Sequence, residues 1–298
     1  MKIQWIKHPA IDKEKYDRCI LDARNGTIYA MSWYLDAVAS GWQLLATPDY
    51  SFVMPVLQKR KFGIPYVLQP MLCQQSGIFS PEEITKAIFE QFIKKIPAVY
   101  CILQLNPGNS FQHKDLKERP NYVLDLRPEY EEIKSRYHSN TRSDLKKRTN
   151  ADLVIDSETD YVTILDLMQK HSLHYTGKIL AKAKNVIEAA KEKNALLIRC
   201  VREKETMEIV AGVLFLRWKN RFYYIFPVST AKGKEMRAMR FLIDRFIAEF
   251  AGQNYILDFE GSSIPAVARF YQNFGATLEA YPCYYKSKLP FIFRNRQK

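Results

Sequence analysis

One order of elements occurs twice along the 298 residues, and it constrains the fold more than any other feature of the chain. Apolar periodicity places a strand over 2–7, helices over 12–24 and 32–40, and strands over 42–47, 51–57 and 65–71. A helix over 81–96 follows, with Ser80 as N-cap, Pro81 at the first helical position and Glu83 completing a capping box. A buried strand over 99–105 ends the run. After a strand over 121–126 the plan restarts, with helices over 158–172 and 180–194 and strands over 195–202, 208–218 and 221–228. The last two of these strands are joined by the tight Lys219-Asn220 turn. A helix over 234–251, a strand over 255–259, a helix over 264–274 and a strand over 277–287 complete the chain.

Two helices, three strands, a helix and a strand therefore recur. This order predicts an α/β chain with mixed sheets, built as two similar units, 1–126 and 127–298, with a cleft between them. At this length about 75% of the unfolded surface can be buried, so no staple is needed. Alternation over 221–228 puts Phe222, Tyr224 and Phe226 on one face, with Tyr223 and Ile225 on the other. Pro227 lacks a ladder donor, so pairing is expected to fail there and the strands to splay, opening a place for a ligand.

Charge narrows the choice of ligand. The net charge is +13, and three short segments account for all of it: 134–148 at +5, 232–240 at +3 and 286–298 at +5. The rest of the chain is neutral. If the three meet in space they form one anion site on the second unit; otherwise they are solvated faces. The five cysteines are scattered with no CxxC spacing, which predicts small core residues in a reducing compartment. With no secretory signal and no uninterrupted apolar span, the expectation is a cytoplasmic protein without a transmembrane segment.

The densest chemical signal is NYILDFEGSSIPAVARFYQNFGA, residues 254–276. An apolar strand ends in Asp258-Phe259-Glu260, Gly261 permits a sharp turn, and Ser263 caps a helix that begins Ile264-Pro265. Period-two alternation puts Asp258 and Glu260 on one face beside a helix N-terminus, where either could be a general base or position an amine. Ser262, on the same turn, is a candidate substrate contact.

The stretch ARFYQNFGA resembles the closing helix of the GNAT acyltransferase superfamily. The resemblance implies that Tyr271 acts as general acid towards the leaving group, and a phenol suits this because it is a neutral donor at pH 7. In that family a glycine-rich turn after the splayed strand holds the pyrophosphate of acyl-CoA. Here its two glycines fall on Glu235 and Arg237, so the implied acyl-CoA site is incomplete. Lys232, Lys234 and Arg237 could still hold an anion by charge, with Tyr224 on the neighbouring strand.

The whole chain is more similar to the FemABX group, which joins two GNAT-like domains in tandem and lacks that glycine turn. YHSNTRSDLKKRTNADLVI resembles the basic helix opening their second domain, with Arg142, Lys146 and Lys147 at matching positions. YAMSWYLDAV resembles their Ser-x-x-Trp helix, with Ser32 and Trp33 adjacent. The resemblance implies transfer of an aminoacyl group from aminoacyl-tRNA to an amine, such as that of a peptidoglycan precursor, with no cofactor. The catalytic set is then Tyr271, Glu260 and Asp258; the substrate contacts are Arg142, Lys146, Tyr224, Lys232, Lys234, Arg237 and Ser262. Two alternatives remain open: an acyl-CoA-dependent N-acetyltransferase, and a non-catalytic binder of RNA or another anion. His171 and His174, three apart near a helix end, lack the further ligands a metal site needs.

Overall fold

The computed structural model describes residues 1–147, 152–172, 175–261 and 264–288, and in it the chain crosses twice between two units. One unit comprises Met1–Arg119 with the segment from Ala280 on; the other is Pro120–Glu279. The boundary expected after Leu126 therefore falls after Arg119, and a second lies after Glu279. The strand expected over 277–287 is cut by that crossing into β14 (Thr277–Leu278) and β15 (Tyr281–Ser287). Glu279 is held at the break, its N–H donating to the Asn121 carbonyl at 2.9 Å.

The first unit holds β1 (Gln4–Ile6), α1 (Lys13–Asp22), α2 (Ser32–Val38), β2 (Gln43–Ala46), β3 (Val53–Val56), β4 (Gln58–Lys61), β5 (Ile64–Val67), α3 (Lys86–Lys95), β6 (Tyr100–Gln104) and β7 (Leu116–Arg119). β1, β2 and β3 form one sheet, and β4-β5-β6-β15-β7 another. Helix α3 covers them through the buried Phe89, Phe92 and Ile93. It starts later than the capping box predicted, at Lys86, because Thr85 accepts from the Ile88 N–H; Ser80 Oγ instead accepts from Glu82 N–H at 2.9 Å and closes a turn.

The second unit contains β8 (Tyr122–Asp125), α4 (Tyr130–Ser135), α5 (Ser139–Lys147), β9 (Leu153–Asp156), α6 (Tyr161–His171), α7 (Gly177–Glu192), β10 (Leu196–Glu203), β11 (Ile209–Trp218) and β12 (Arg221–Ser229). After these come α8 (Ala231–Glu235), α9 (Ala238–Phe250), β13 (Ile256–Asp258), α10 (Pro265–Gln272) and β14. The sheet order is β14-β8-β13-β12-β11-β10-β9. Phe246 on α9 stacks on Phe215 of β11 with ring centroids 4.0 Å apart, at the centre of a core that includes Phe222, Leu242 and Ile247.

The predicted repeat is visible in the parallel pairs. Each unit has one, β5 with β6 and β12 with β13, and in both a helix makes the crossover, α3 in the first and α9 in the second.

Two predicted details of the second unit change. The helix expected over 234–251 is two helices, because Arg237 takes a left-handed φ of 57° between α8 and α9. Gly233, within α8, lies so close to β11 that a Cβ would stand 2.0 Å from the Val210 carbonyl oxygen. Only glycine lets this turn sit down on β11. In β12, the register shifts beside Leu214 and Phe215, which pair with Phe226 and Tyr224, so Ile225 bulges out of the ladder. Phe226 consequently leaves the face shared by Phe222 and Tyr224 and packs against Tyr175, 5.8 Å between ring centroids.

Candidate active site

The splay in the second unit begins earlier than Pro227. β12 stays paired with β11 as far as Ser229, whereas its parallel pairing with β13 ends at Tyr223 opposite Asp258. Beyond that point one edge of β12 borders a groove of about 300 Å³ lined by Tyr224, Pro227, Val228, Ser229, Lys234 and Met239. Pro227 lies on this open stretch but does not create it.

Aromatic rings fill the angle between the diverging strands. Tyr271, on α10, stacks on Phe259 at 4.8 Å and 19°, with Tyr224 at 6.1 Å and Tyr122 at 6.3 Å. Neither the Tyr224 nor the Tyr271 hydroxyl has a hydrogen-bond partner among the described residues. Burial raises the Tyr271 phenol above its ordinary pKa, and the negative charges of Glu260 and Asp258 raise it further. Burial does the same to Tyr224 and Tyr175. All three are neutral donors at pH 7.

The two carboxylates have different surroundings, although the charge of each acts on Tyr271. Glu260, two residues past the end of the strand, has a left-handed φ of 56° and so departs from extended backbone. Its charge acts on Tyr175 and Tyr271. Asp258 is 1% exposed and accepts from Arg221 Nη1 at 2.7 Å and from the Glu260 N–H at 2.8 Å. Burial pushes its carboxyl up, with Arg221 and the backbone donor pulling against it. Asp258 thus braces the turn that presents Glu260.

The remaining candidates are distributed over other places. Lys234 lines the groove beside Tyr224. Lys232 points away to an ion pair with Glu203. Arg237, at the start of α9, lines a separate polar hollow of about 390 Å³ with Asn140, Ser143, Asp144, Arg240 and Asn273. Arg240 bonds Asp144, so the basic segments 134–148 and 232–240 do meet. Arg142 and Lys146 line a third cavity with Lys134 and Arg245, where Arg142 also donates to the Ser135 and Tyr137 carbonyls at 2.9 and 2.8 Å. The third basic segment begins on β15 in the other unit and beyond Lys288 lies outside the described residues, as do Ser262, Ser263, Arg148 and His174.

Tyr175 was not legible in the sequence. It lies between two helices with no motif around it, yet its hydroxyl donates to the Ile225 carbonyl at 3.0 Å, the very residue that bulges from the ladder. All five cysteines are buried, and burial pushes the thiols of Cys19, Cys101 and Cys200 up to about 12, leaving none of these three as a ready thiolate. No group of three metal-ligating side chains occurs among the described residues.

Neither a protein-family model nor a curated protein matches the sequence. Solved structures do match the fold. FemX superposes with a TM-score of 0.65 at 12% identity, over 95% of this chain and 97% of that one. A tandem GNAT protein from the clavulanic acid biosynthesis pathway gives 0.58 at 8% identity, over 97% and 99%. The C-terminal domain of a putative lysylphosphatidylglycerol synthetase from Agrobacterium fabrum gives 0.56 at 12%, over 93% and 91%. The chain has the FemABX-like tandem GNAT fold.

Proposed function

We propose that the protein is an N-acyltransferase whose active site is the open edge of β12 beyond Tyr223. The observation that carries this reading is the meeting of neutral phenols and a carboxylate at that edge: Tyr271 lies beside Tyr224, and the charge of Glu260 acts on Tyr271. The fold shared with FemX and with the tandem GNAT protein supports the reaction class.

In the proposed step the acceptor amine attacks the donor carbonyl and loses a proton to Glu260. The carbon–oxygen bond to the leaving group breaks, and Tyr271 gives its proton to the departing oxygen. Glu260 then returns the amine's proton to the Tyr271 phenolate, so no proton is gained or lost. Asp258 positions the Glu260 turn and takes no proton.

An aminoacyl-tRNA is the favoured donor. Helix α8 occupies the place of the glycine turn, with Gly233 seated on Val210 and side chains at 235 and 237. A pyrophosphate needs bare N–H groups, and here the Gly233 and Lys234 amides already donate to Thr230, while those of Met236 and Arg237 donate to the Lys232 and Lys234 carbonyls. The convergence of 134–147 with 232–240 supports a polyanionic donor. The acceptor is an amine, for which a cell-wall precursor is the proposed class, and the setting is the cytoplasm. No described helix is long and apolar enough to cross a membrane.

The groove along β12 favours one second reading, an acyl-CoA donor whose pantetheine arm lies there. Incubation with tRNA carrying a labelled amino acid and a soluble amine acceptor decides between them. Label moving to the acceptor supports the first donor; labelled acetyl-CoA as the sole productive donor replaces it with the second.

A further inference from the structure

The β4–β5 hairpin of the first unit has a tip that its own fold does not explain. Lys61 pairs with Ile64, leaving the two-residue turn Phe62-Gly63 with φ of 50° and 76°. Such a turn needs left-handed conformations at both positions, and asparagine or glycine is the residue expected at the first. Phe62 holds it instead, at a steric disadvantage, and its side chain is not packed: the residue is 93% exposed. Lys61 Nζ stands 5.8 Å from the ring centroid, an exposed contact too weak to account for an aromatic ring at a strained position.

The surroundings specify what the ring could meet. Opposite residues of the ladder share a face, so Lys59 lies with Tyr66 and Lys61 with Ile64, ammonium groups beside apolar side chains. Ile64 is 45% exposed, and the exposed Leu68 and Met71 continue the same segment. No acidic residue occurs between Asp49 and Glu82, so nothing along this stretch neutralises Lys59, Arg60 and Lys61. Arg60 braces the turn, Nη1 donating to the Gly63 carbonyl at 3.1 Å. β4 is an edge strand, and cations there have an ordinary use in keeping other strands away. That use covers the lysines and leaves Phe62 and Ile64 unexplained.

We propose that this hairpin is an interfacial anchor for an anionic lipid bilayer, with Phe62 and Ile64 entering the acyl boundary and Lys59 and Lys61 lying among the headgroups. Apolar tip residues flanked by long cationic side chains match both layers of such an interface at once: the rings and branches leave water, and the ammonium groups reach back to phosphate. A nucleic-acid backbone would satisfy the lysines without burying Ile64. A second copy of the chain, carrying the same cations, would repel them. The inference does not rest on the reaction proposed above.

Co-sedimentation of the full chain with vesicles tests it. The wild type should pellet with vesicles rich in phosphatidylglycerol at low salt, remain in solution with pure phosphatidylcholine, and bind less as salt rises. Phe62→Asn should keep or raise the melting temperature, since asparagine suits the turn, while the apparent partition falls about tenfold. Lys59→Gln with Lys61→Gln should remove the preference for anionic vesicles. Failure of the wild type to pellet overturns the proposal, as does Phe62→Asn pelleting like the wild type. A concentration-dependent dimer lost in Phe62→Asn, without vesicle binding, would assign the tip to self-association instead.

Discussion

Arg221 donates from Nη1 to the buried Asp258 at 2.7 Å and, through the same nitrogen, to Glu279 at 2.9 Å. One side chain at the start of β12 thereby fixes the end of β13 and the residue at which the chain leaves the unit. Removing it strands a buried carboxylate. Arg221→Met is expected to destabilise the second unit by about 3–5 kcal/mol, read as a shift in denaturant midpoint. Asp258→Asn should cost less, about 1–3 kcal/mol, since the amide still accepts from the Glu260 N–H. An Asp258→Asn protein of wild-type stability with abolished turnover would instead make Asp258 a catalytic group.

Tyr271→Phe removes one oxygen from a ring whose packing on Phe259 is unchanged. Turnover should fall by roughly 100-fold with the melting temperature preserved, and Glu260→Gln should do the same. Because burial raises the phenol's pKa, the limb of the pH–rate profile at high pH should lie above the range of an ordinary tyrosine. Wild-type rates in both variants would remove this pair from the reaction.

Asp156 supplies a pH dependence of stability with a definite sign. Burial acts to raise its pKa, yet the Thr159 hydroxyl, Arg202 and the Glu158 N–H outweigh that and hold it at about 2, against an ordinary 3.8. A carboxyl depressed on folding contributes its full stabilisation above the unfolded value and loses it as pH falls towards the folded one. The melting temperature should therefore decline between pH 4 and pH 2. In Asp156→Asn the decline should be shallower from a lower starting point.

Gly233→Ala tests the seat of α8. The added methyl would meet the Val210 carbonyl oxygen at 2.0 Å, a backbone atom, with no flexible side chain to yield. A loss of about 1–3 kcal/mol is expected by calorimetry or denaturation. Unaltered stability would mean that α8 can lift, and that a phosphate could reach the amides beneath it.

Most signals that are local in sequence were legible, the capping box at Ser80 being an exception, and those that depend on a distant partner were not. The strand and helix of 254–276 could be read because the apolar run and Pro265 each act on their own neighbours. β4 (Gln58–Lys61), three of whose four residues are cationic, carries no apolar pattern and becomes a strand only by pairing with β5. The bulge at Ile225 is a property of the β11–β12 register, so neither the turning of Phe226 nor the hydrogen bond from Tyr175 could be foreseen from alternation. Thr277–Leu278 and Tyr281–Ser287 look like one strand because both are extended, and their separation follows from which sheet each joins.

That separation sets an order of events at the ribosome. β15 sits between β6 and β7, which have no other contact in their sheet order, so the sheet of the first unit is divided until Tyr281–Ser287 has been synthesised. Everything the second unit needs, Pro120–Glu279, precedes that segment in the chain. Translation usually lets the N-terminal portion fold first; here the later-made unit can close while the earlier one waits with two open strand edges for the returning chain.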